Sequence, residues 1–452
     1  METSKKVTPF TVVYAPSDGV TASTYPGLLG LPVIFDRGPG VHRLAMRFLL
    51  DLAYAKWRFP GGFLVSTGAK MPTKKSMRTI AARLANFLDW ADHRALDLRT
   101  CNYRQGVTRY QQEMLKGVWS RSGRELENST VNVRVDVATH YLRWLVDIGE
   151  RERFDVLTKE VSQTYSRHDS SRNSIKTVTV REGRLKLRSK ILTLPTKQQA
   201  VEWLKESRCV SGSTFGLMAE SILRTGMRRE ELTCLRVDSL PLSPSEWEVA
   251  NPTQPPHLQE IVIRLEWGAK GETIATCPIS GDERKVGRAI RVPRTLALEW
   301  HEYRRKSRVR AVGKRLAGLK GRQREDVAAS LVHLFLRDDT GERWSGKKFY
   351  DAWVAVPRFF ADRWYPHAGR HWWACMTLWD EVMRLEAEGH TKENLLSIIM
   401  TRIQPQLGHV SEDTTMLYLR WAINQLGTPL VLDETDEETG ADPSPPEKSL
   451  HA

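Results

Sequence analysis

No run of about 18 apolar residues occurs in the 452-residue chain, so no membrane-crossing helix is expected. The opening Met1-Glu2-Thr3-Ser4-Lys5-Lys6-Val7 lacks the apolar core of a secretory signal. Cysteine is scarce: Cys101, Cys209, Cys234, Cys277 and Cys375 are odd in number and far apart. With no C-x-x-C pair, neither a disulfide framework nor a zinc ribbon organises the chain. A reducing cytoplasm fits this usage. No internal repeat is apparent.

Acidic residues are few where the chain is well patterned. The formal charge is +14 and the pI about 9.6. The tail 431–452 holds Asp433, Glu434, Asp436, Glu437, Glu438, Asp442 and Glu447 against Lys448 alone, a net of −6 that leaves +20 on residues 1–430. A body this basic is the electrostatic footprint of a nucleic-acid partner. A solvated basic surface is the plainer reading of charge alone.

Periodicity gives a mainly α chain with one small antiparallel sheet, an α+β class. Residues 1–35 are rich in Pro, Gly, Thr and Ser and read as an irregular arm, with a short strand at Thr11–Tyr14. Helical spacing begins near His42 with Leu44, Phe48, Leu49 and Leu52. It continues over 74–93 (Ile80, Leu84, Phe87, Leu88) and over 105–116. A fourth helix opens at Ser129-Thr130, an expected N-cap, and runs through Val131, Val135, Ala138, Leu142 and Leu145 to Gly149. Residues 160–176 are polar and Ser-rich and read as a linker. Leu194-Pro195-Thr196 opens a helix over 197–207, followed by helices over 213–224 and 228–236. Ile261, Ile263 and Leu265 alternate, as do Ile290 and Val292, so 259–292 reads as sheet. Residues 304–324 hold ten Lys or Arg and no acid, and read as an exposed basic helix or loop. Asp338-Asp339-Thr340-Gly341 is a turn before a helix over 346–356. The acidic, Pro-containing tail reads as disordered.

Three short segments carry chemistry. Thr225-Gly226-Met227-Arg228-Arg229-Glu230-Glu231-Leu232 is followed far downstream by His367-Ala368-Gly369-Arg370-His371. Then comes Gln406-Leu407-Gly408-His409, with Tyr418 nine residues after His409. Cleaving a phosphodiester needs a nucleophile, a proton for the leaving oxygen and fixed positive charge around the phosphoryl group. Tyrosine is a covalent nucleophile once activated. Arginine offers a planar, permanently charged fork that fits two phosphate oxygens. Histidine titrates near neutrality and can donate to the phosphate or move protons. Four elements in this order, with one spacing fixed, resemble the active site of the tyrosine recombinase (phage integrase) family over roughly 36–425.

The resemblance implies a two-domain, C-shaped clamp on double-stranded DNA. Residues 36–158 would form the helical core-binding domain, 159–190 a linker, 191–428 the catalytic domain and 429–452 the disordered tail. It implies Tyr418 as nucleophile, Arg228 and Arg370 as phosphate clamps, and His367 and His409 as donors or proton carriers. Glu231 and His371 would support the site. The family also places a lysine on a strand turn, where it protonates the leaving oxygen. Lys270, in Gly268-Ala269-Lys270-Gly271, is the nearest match, with Lys285 as its rival. No cofactor or metal is implied, since bond energy is kept in a 3′-phosphotyrosyl link. His367 and His371 share a helix face, but Ala368 stands where a zinc motif has Glu, and no third ligand has a recognisable spacing. Trp372-Trp373 departs from the smaller Thr-Phe common in the family, which implies altered packing.

The implied activity is site-specific recombination or integration for a mobile element, by four protomers on two duplexes, with accessory or sister recombinases as further partners. Two other readings stay open. One is a strand-relaxing or hairpin-forming enzyme with the same chemistry. The other is a DNA-binding accessory or regulatory protein without catalysis, which the intact residue set disfavours.

Overall fold

The computed structural model describes residues 10–14, 31–36, 40–54, 56–57, 72, 74–165, 174–187, 192–271, 273–278, 280–358, 360, 363–387, 399–408, 417–418, 420–422 and 424–425. The acidic tail, most of the N-terminal arm, and His409 lie outside the described residues. The chain divides into two compact units, Met1–Ser189 and Lys190–Ala452. The described residues are mainly helical, with small antiparallel sheets. No described helix is long and apolar enough to cross a membrane.

In the first unit the expected strand β1 (Thr11–Tyr14) pairs antiparallel with β2 (Pro32–Phe35). Helices α1 (Arg43–Ala53), α2 (Lys74–His93), α3 (Arg109–Leu115) and α4 (Asn128–Asp147) supply the core. A π-helical turn, Arg104–Thr108, precedes α3. The periodic residues of α2 and α4 are the ones buried, among them Leu84, Phe87, Val135 and Leu142. Each such side chain contributes roughly 1.5–3 kcal/mol by leaving water. Two of this unit's buried tryptophans have their polar edge paired: Trp144 Nε1 donates to Asp51 Oδ2 at 3.0 Å and Trp90 Nε1 to Glu113 Oε2 at 2.8 Å.

Two expectations need correcting here. Helix α4 starts one residue after Glu127, not at a Ser129-Thr130 cap, and Glu127 makes no side-chain cap bond. Packing of the α4 core stripe, not a cap, sets that start. The polar stretch expected as linker contains a hairpin, β3 (Thr158–Tyr165) against β4 (Ser174–Arg181). The hairpin is anchored at its base, where Arg181 donates to Asp136 Oδ1 at 2.9 Å, Gln111 Oε1 at 2.8 Å and Asn132 Oδ1 at 3.1 Å.

The second unit opens with α5 (Lys197–Ser211), whose capping box joins Thr196 and Gln199. The buried helix α6 (Ser213–Thr225) runs through its core and ends at Gly226 in the left-handed conformation. The short α7 (Arg229–Thr233) follows. A three-stranded antiparallel sheet has the order β5 (Glu260–Trp267), β7 (Glu283–Pro293), β6 (Thr273–Thr276). Ile261, Ile263 and Leu265 face the core from β5, opposite Ile290 and Val292 of β7. Helices α8 (Arg294–Arg305), α9 (Ser307–Leu316), α10 (Gly321–Ser330), α11 (Gly346–Ala355), α12 (Pro366–Ala387) and the single turn α13 (Gln404–Leu407) complete the described order.

The basic stretch 304–324 is helical, but not all of it is exposed. Arg304 is buried and donates to the carbonyls of Val237, Leu240, Pro241 and Leu242. Arg308 bonds the carbonyls of His333 and Leu331. Both satisfy loop carbonyls that would otherwise be orphaned on burial.

Candidate active site

The site is built where α6 ends. Gly226 turns the chain with φ +65°, and a Cβ there would sit 2.5 Å from Trp373 Cε3 and 3.0 Å from Leu407 Cδ2. Only glycine fits that conformation and that contact at once. The turn delivers Arg228 to the N-cap of α7. Glu231, fully buried three residues on, accepts from Arg228 N at 2.7 Å and from Arg228 Nη1 at 2.7 Å. The same carboxylate accepts from Arg288 Nη2 of β7 at 2.8 Å. Burial alone would raise its pKa, but Arg288, Arg228, the backbone N–H of Arg228, and Arg370 bring it below the usual carboxylate value.

Arg370 is 1% exposed on the first turns of α12. Its Nη1 donates to Gly226 O at 2.6 Å and its Nη2 to Leu407 O. Burial, with Arg228 next, pushes its pKa down to about 9, so it remains charged at neutral pH. Arg228 Nη2 donates to Gly408 O at 3.0 Å, and Arg288 Nη1 reaches Gln406 O. Three guanidinium groups from three separate segments thus converge on Glu231 and the carbonyls of the Leu407-Gly408 turn. Gln406 locks that turn down: its amide bonds Thr225 O at 2.9 Å and Arg291 O at 2.8 Å, and its Oε1 accepts from Arg291 N at 2.8 Å.

Tyr418 is fully buried, packed with Leu407, Ala374, Cys375 and Leu378. Its hydroxyl lies 3.0 Å from His371 Nδ1. Burial raises its pKa above the ordinary phenol value, against the pull of Arg370. The phenol is therefore protonated at neutral pH and meets an imidazole that can accept its proton. His367, exposed one helical turn earlier, sets its ring 4.4 Å from that of His371. The expected Trp372-Trp373 difference has a local reason. Trp372 Nε1 bonds Pro195 O at 2.8 Å, and Trp373 packs against Gly226.

Of the residues named from sequence, Arg228, Glu231, Arg370, His371, His367 and Tyr418 gather in this one region. His409 lies outside the described residues. Lys270 is exposed on the turn after β5. Lys285 lies in β7, 2.5 Å from Glu283 Oε2 and bonded to Thr273 Oγ1 across to β6. Among the described residues no group of three His, Cys, Asp or Glu side chains could hold a metal ion. Sequence reasoning missed Arg288. Its signal was phase: Arg288 stands two and four residues before Ile290 and Val292, on the strand face that turns inward.

No family description and no curated protein matches the chain. Among solved structures it is similar to the XerH site-specific recombinase bound to palindromic difH substrate, with 15% identity over 79% of this chain and 80% of that chain and a TM-score of 0.44. It is also similar to the Tn1549 transposon integrase with circular intermediate DNA, with 12% identity over 85% of this chain and 98% of that chain and a TM-score of 0.44. A third is a lambda integrase dimer bound to a COC′ core site, with 13% identity over 83% of this chain and 94% of that chain and a TM-score of 0.40. In the order of its motifs the chain resembles the tyrosine recombinases.

Proposed function

We propose that this protein is a site-specific DNA recombinase of the tyrosine type, serving integration, excision or transposition of a mobile element. One observation carries the reading. Arg228, Arg288 and Arg370 converge beside a buried tyrosine whose hydroxyl meets a histidine. A structural ion-pair network explains the arginines and Glu231. It does not explain why the C-terminal tyrosine is brought to the same centre and paired with His371.

In the proposed reaction the arginines neutralise the charge that develops on the scissile phosphate. His371 takes the phenol proton as the Tyr418 oxygen bonds to phosphorus. The P–O5′ bond breaks, and the leaving oxygen takes a proton from Lys270 to become a 5′-hydroxyl. The 3′-phosphotyrosyl link keeps the bond energy, and a 5′-hydroxyl from a partner duplex reverses the step. His367 and His409 assist at the phosphate. Because Tyr418 is buried, its ring must be uncovered before a phosphate can reach it. The basic body supports duplex DNA as partner, with four protomers on two duplexes as the working assembly.

Tyr418→Phe tests the reading, because it removes the nucleophile and keeps the ring. Nicked suicide duplexes built from the DNA flanking the gene should trap a covalent adduct with the wild type. The variant should bind the same duplexes and trap none. An adduct formed by Tyr418→Phe would sink the assignment.

A further inference from the structure

A second buried ionic cluster lies behind the arginine centre, and the reaction just described makes no use of it. Asp282, 8% exposed, ends the loop between β6 and β7. Its Oδ2 lies 2.7 Å from His333 Nε2 and accepts from Ser280 Oγ at 3.0 Å. Its Oδ1 accepts from Arg343 Nη1 at 2.9 Å and from Cys234 Sγ at 3.7 Å. The thiol also lies 3.9 Å from Arg343 Nη2. His333, 2% exposed, and Cys234, 6% exposed, are sealed from water. Desolvating an ionised carboxylate is costly unless it is fully paired, so this arrangement asks what it holds in place.

It holds the turn that carries Lys270. Gly268, two residues before that lysine, has φ +69° and lies so close to α7 that a Cβ would stand 2.4 Å from Glu230 O and 2.9 Å from Cys234 Sγ. Ala269 is buried. Trp267, one residue earlier, lies under the Arg236 guanidinium, 3.4 Å from the ring centroid. Arg236 Nη2 reaches Ser280 Oγ at 3.4 Å, and Ser280 is bonded to Asp282. Both ends of the segment from Trp267 to Asp282 are therefore fastened to the residues that directly follow α7. Helix α7 itself carries Glu231 and is capped by Arg228.

We propose that Asp282, with His333, Arg343 and Cys234, forms a positioning cluster that fixes the Lys270 turn against α7 and so sets the proton-donating step at the leaving oxygen. This rests on the recombinase reading, and the experiment separates the two. The substrate pair is an ordinary suicide duplex and one with sulfur in place of the bridging 5′-oxygen. In the second, the P–S bond breaks and the thiolate leaves without needing a proton. Asp282→Asn keeps the shape and removes the charge.

The full-length variant should cleave ordinary DNA at least tenfold more slowly than wild type, and the sulfur duplex within about threefold of it, since general acid catalysis is typically worth about 10²–10⁴-fold. Lys270→Ala should show the same split. Arg228→Ala, which acts on charge and not on the leaving proton, should be slow on both. Equal losses on the two duplexes for Asp282→Asn would make the cluster merely structural and overturn the proposal, as would no loss on either. A split for Asp282→Asn without one for Lys270→Ala would overturn the link to that lysine. Should Asp282→Asn not fold, His333→Gln probes the same bond and must give the same split. Wild-type protein that cleaves neither duplex would overturn the recombinase reading, and the cluster's proposed role with it.

Discussion

Glu231 carries the arginine centre, and its removal has a calculable cost. It is fully buried and accepts three hydrogen bonds, at 2.7, 2.7 and 2.8 Å, from Arg228 N, Arg228 Nη1 and Arg288 Nη2. Hydrogen bonds to charged groups are worth about 1.5–3 kcal/mol each, so simple addition would reach well above 5. Addition overshoots, because the arginines relax towards the remaining carbonyls once the carboxylate is gone. Removing one partner of a buried ionic set typically costs about 3–5 kcal/mol, and that range is the expectation for Glu231→Ala. Every 1.4 kcal/mol is about tenfold, so hydrogen exchange over 213–233 should lose roughly 10²- to 4 × 10³-fold protection at pH 7. Glu231→Gln keeps one acceptor and should lose about half as much free energy. The pH dependence has a fixed sign. The folded-state pKa lies below the ordinary 4.5, so the stabilisation is present above that value and is lost as pH falls through the folded pKa. Wild type and Glu231→Gln should therefore converge in stability only once the pH has fallen below the folded-state pKa. A loss under about 1 kcal/mol for Glu231→Ala at pH 7, or parallel pH curves, would refute the claim that Glu231 binds the arginines together.

Arg370→Ala should slow covalent-adduct formation by more than about 100-fold at saturating protein while changing duplex affinity far less, because charge is stabilised more in the transition state than in the ground state; a loss seen only in binding curves would make it an ordinary phosphate-positioning residue. Lys285→Ala should cleave both the ordinary and the sulfur-substituted duplex at near wild-type rates, because its ammonium is engaged by Glu283 and Thr273. Rescue of Lys285→Ala by sulfur would move the general-acid role to that residue.

Much of the helical order was legible from apolar spacing, because burial is what the spacing encodes. The stripe Val131, Val135, Ala138, Leu142 and Leu145 is buried residue by residue in α4. The alternation of Ile261, Ile263 and Leu265 likewise turns up on the inner face of β5. Caps and hairpins were less legible, since short polar residues serve both turns and strands. The hairpin at 158–181 offers few apolar residues to reveal a period, and it is pinned by Arg181, whose partners Gln111, Asn132 and Asp136 lie far back in the chain. Burial of Arg304 was hidden for the same reason. Ten basic residues within 304–324 look like a solvated face until four loop carbonyls are seen to need a donor.

The motif residues themselves were visible, but their mutual fit was not, and the two motif glycines show why. Gly408 has φ +58°, and a Cβ on it would stand 2.5 Å from Arg288 Cδ. That glycine is required by the passage of a strand arginine 120 residues earlier in the chain. Arg288 belongs to no recognised motif, so nothing in the sequence around Gly408 points to it. Gly226 plays the same part towards Trp373 and Leu407. Each glycine thus removes a side chain at the point where the end of α6, the start of α12 and the turn at α13 press together. Backbone carbonyls exposed by that close approach become the acceptors for Arg228, Arg288 and Arg370. The arginines are held in place by the backbone that the glycines allow near them, so a methyl group added at either glycine should disturb all three guanidinium groups without touching their charge.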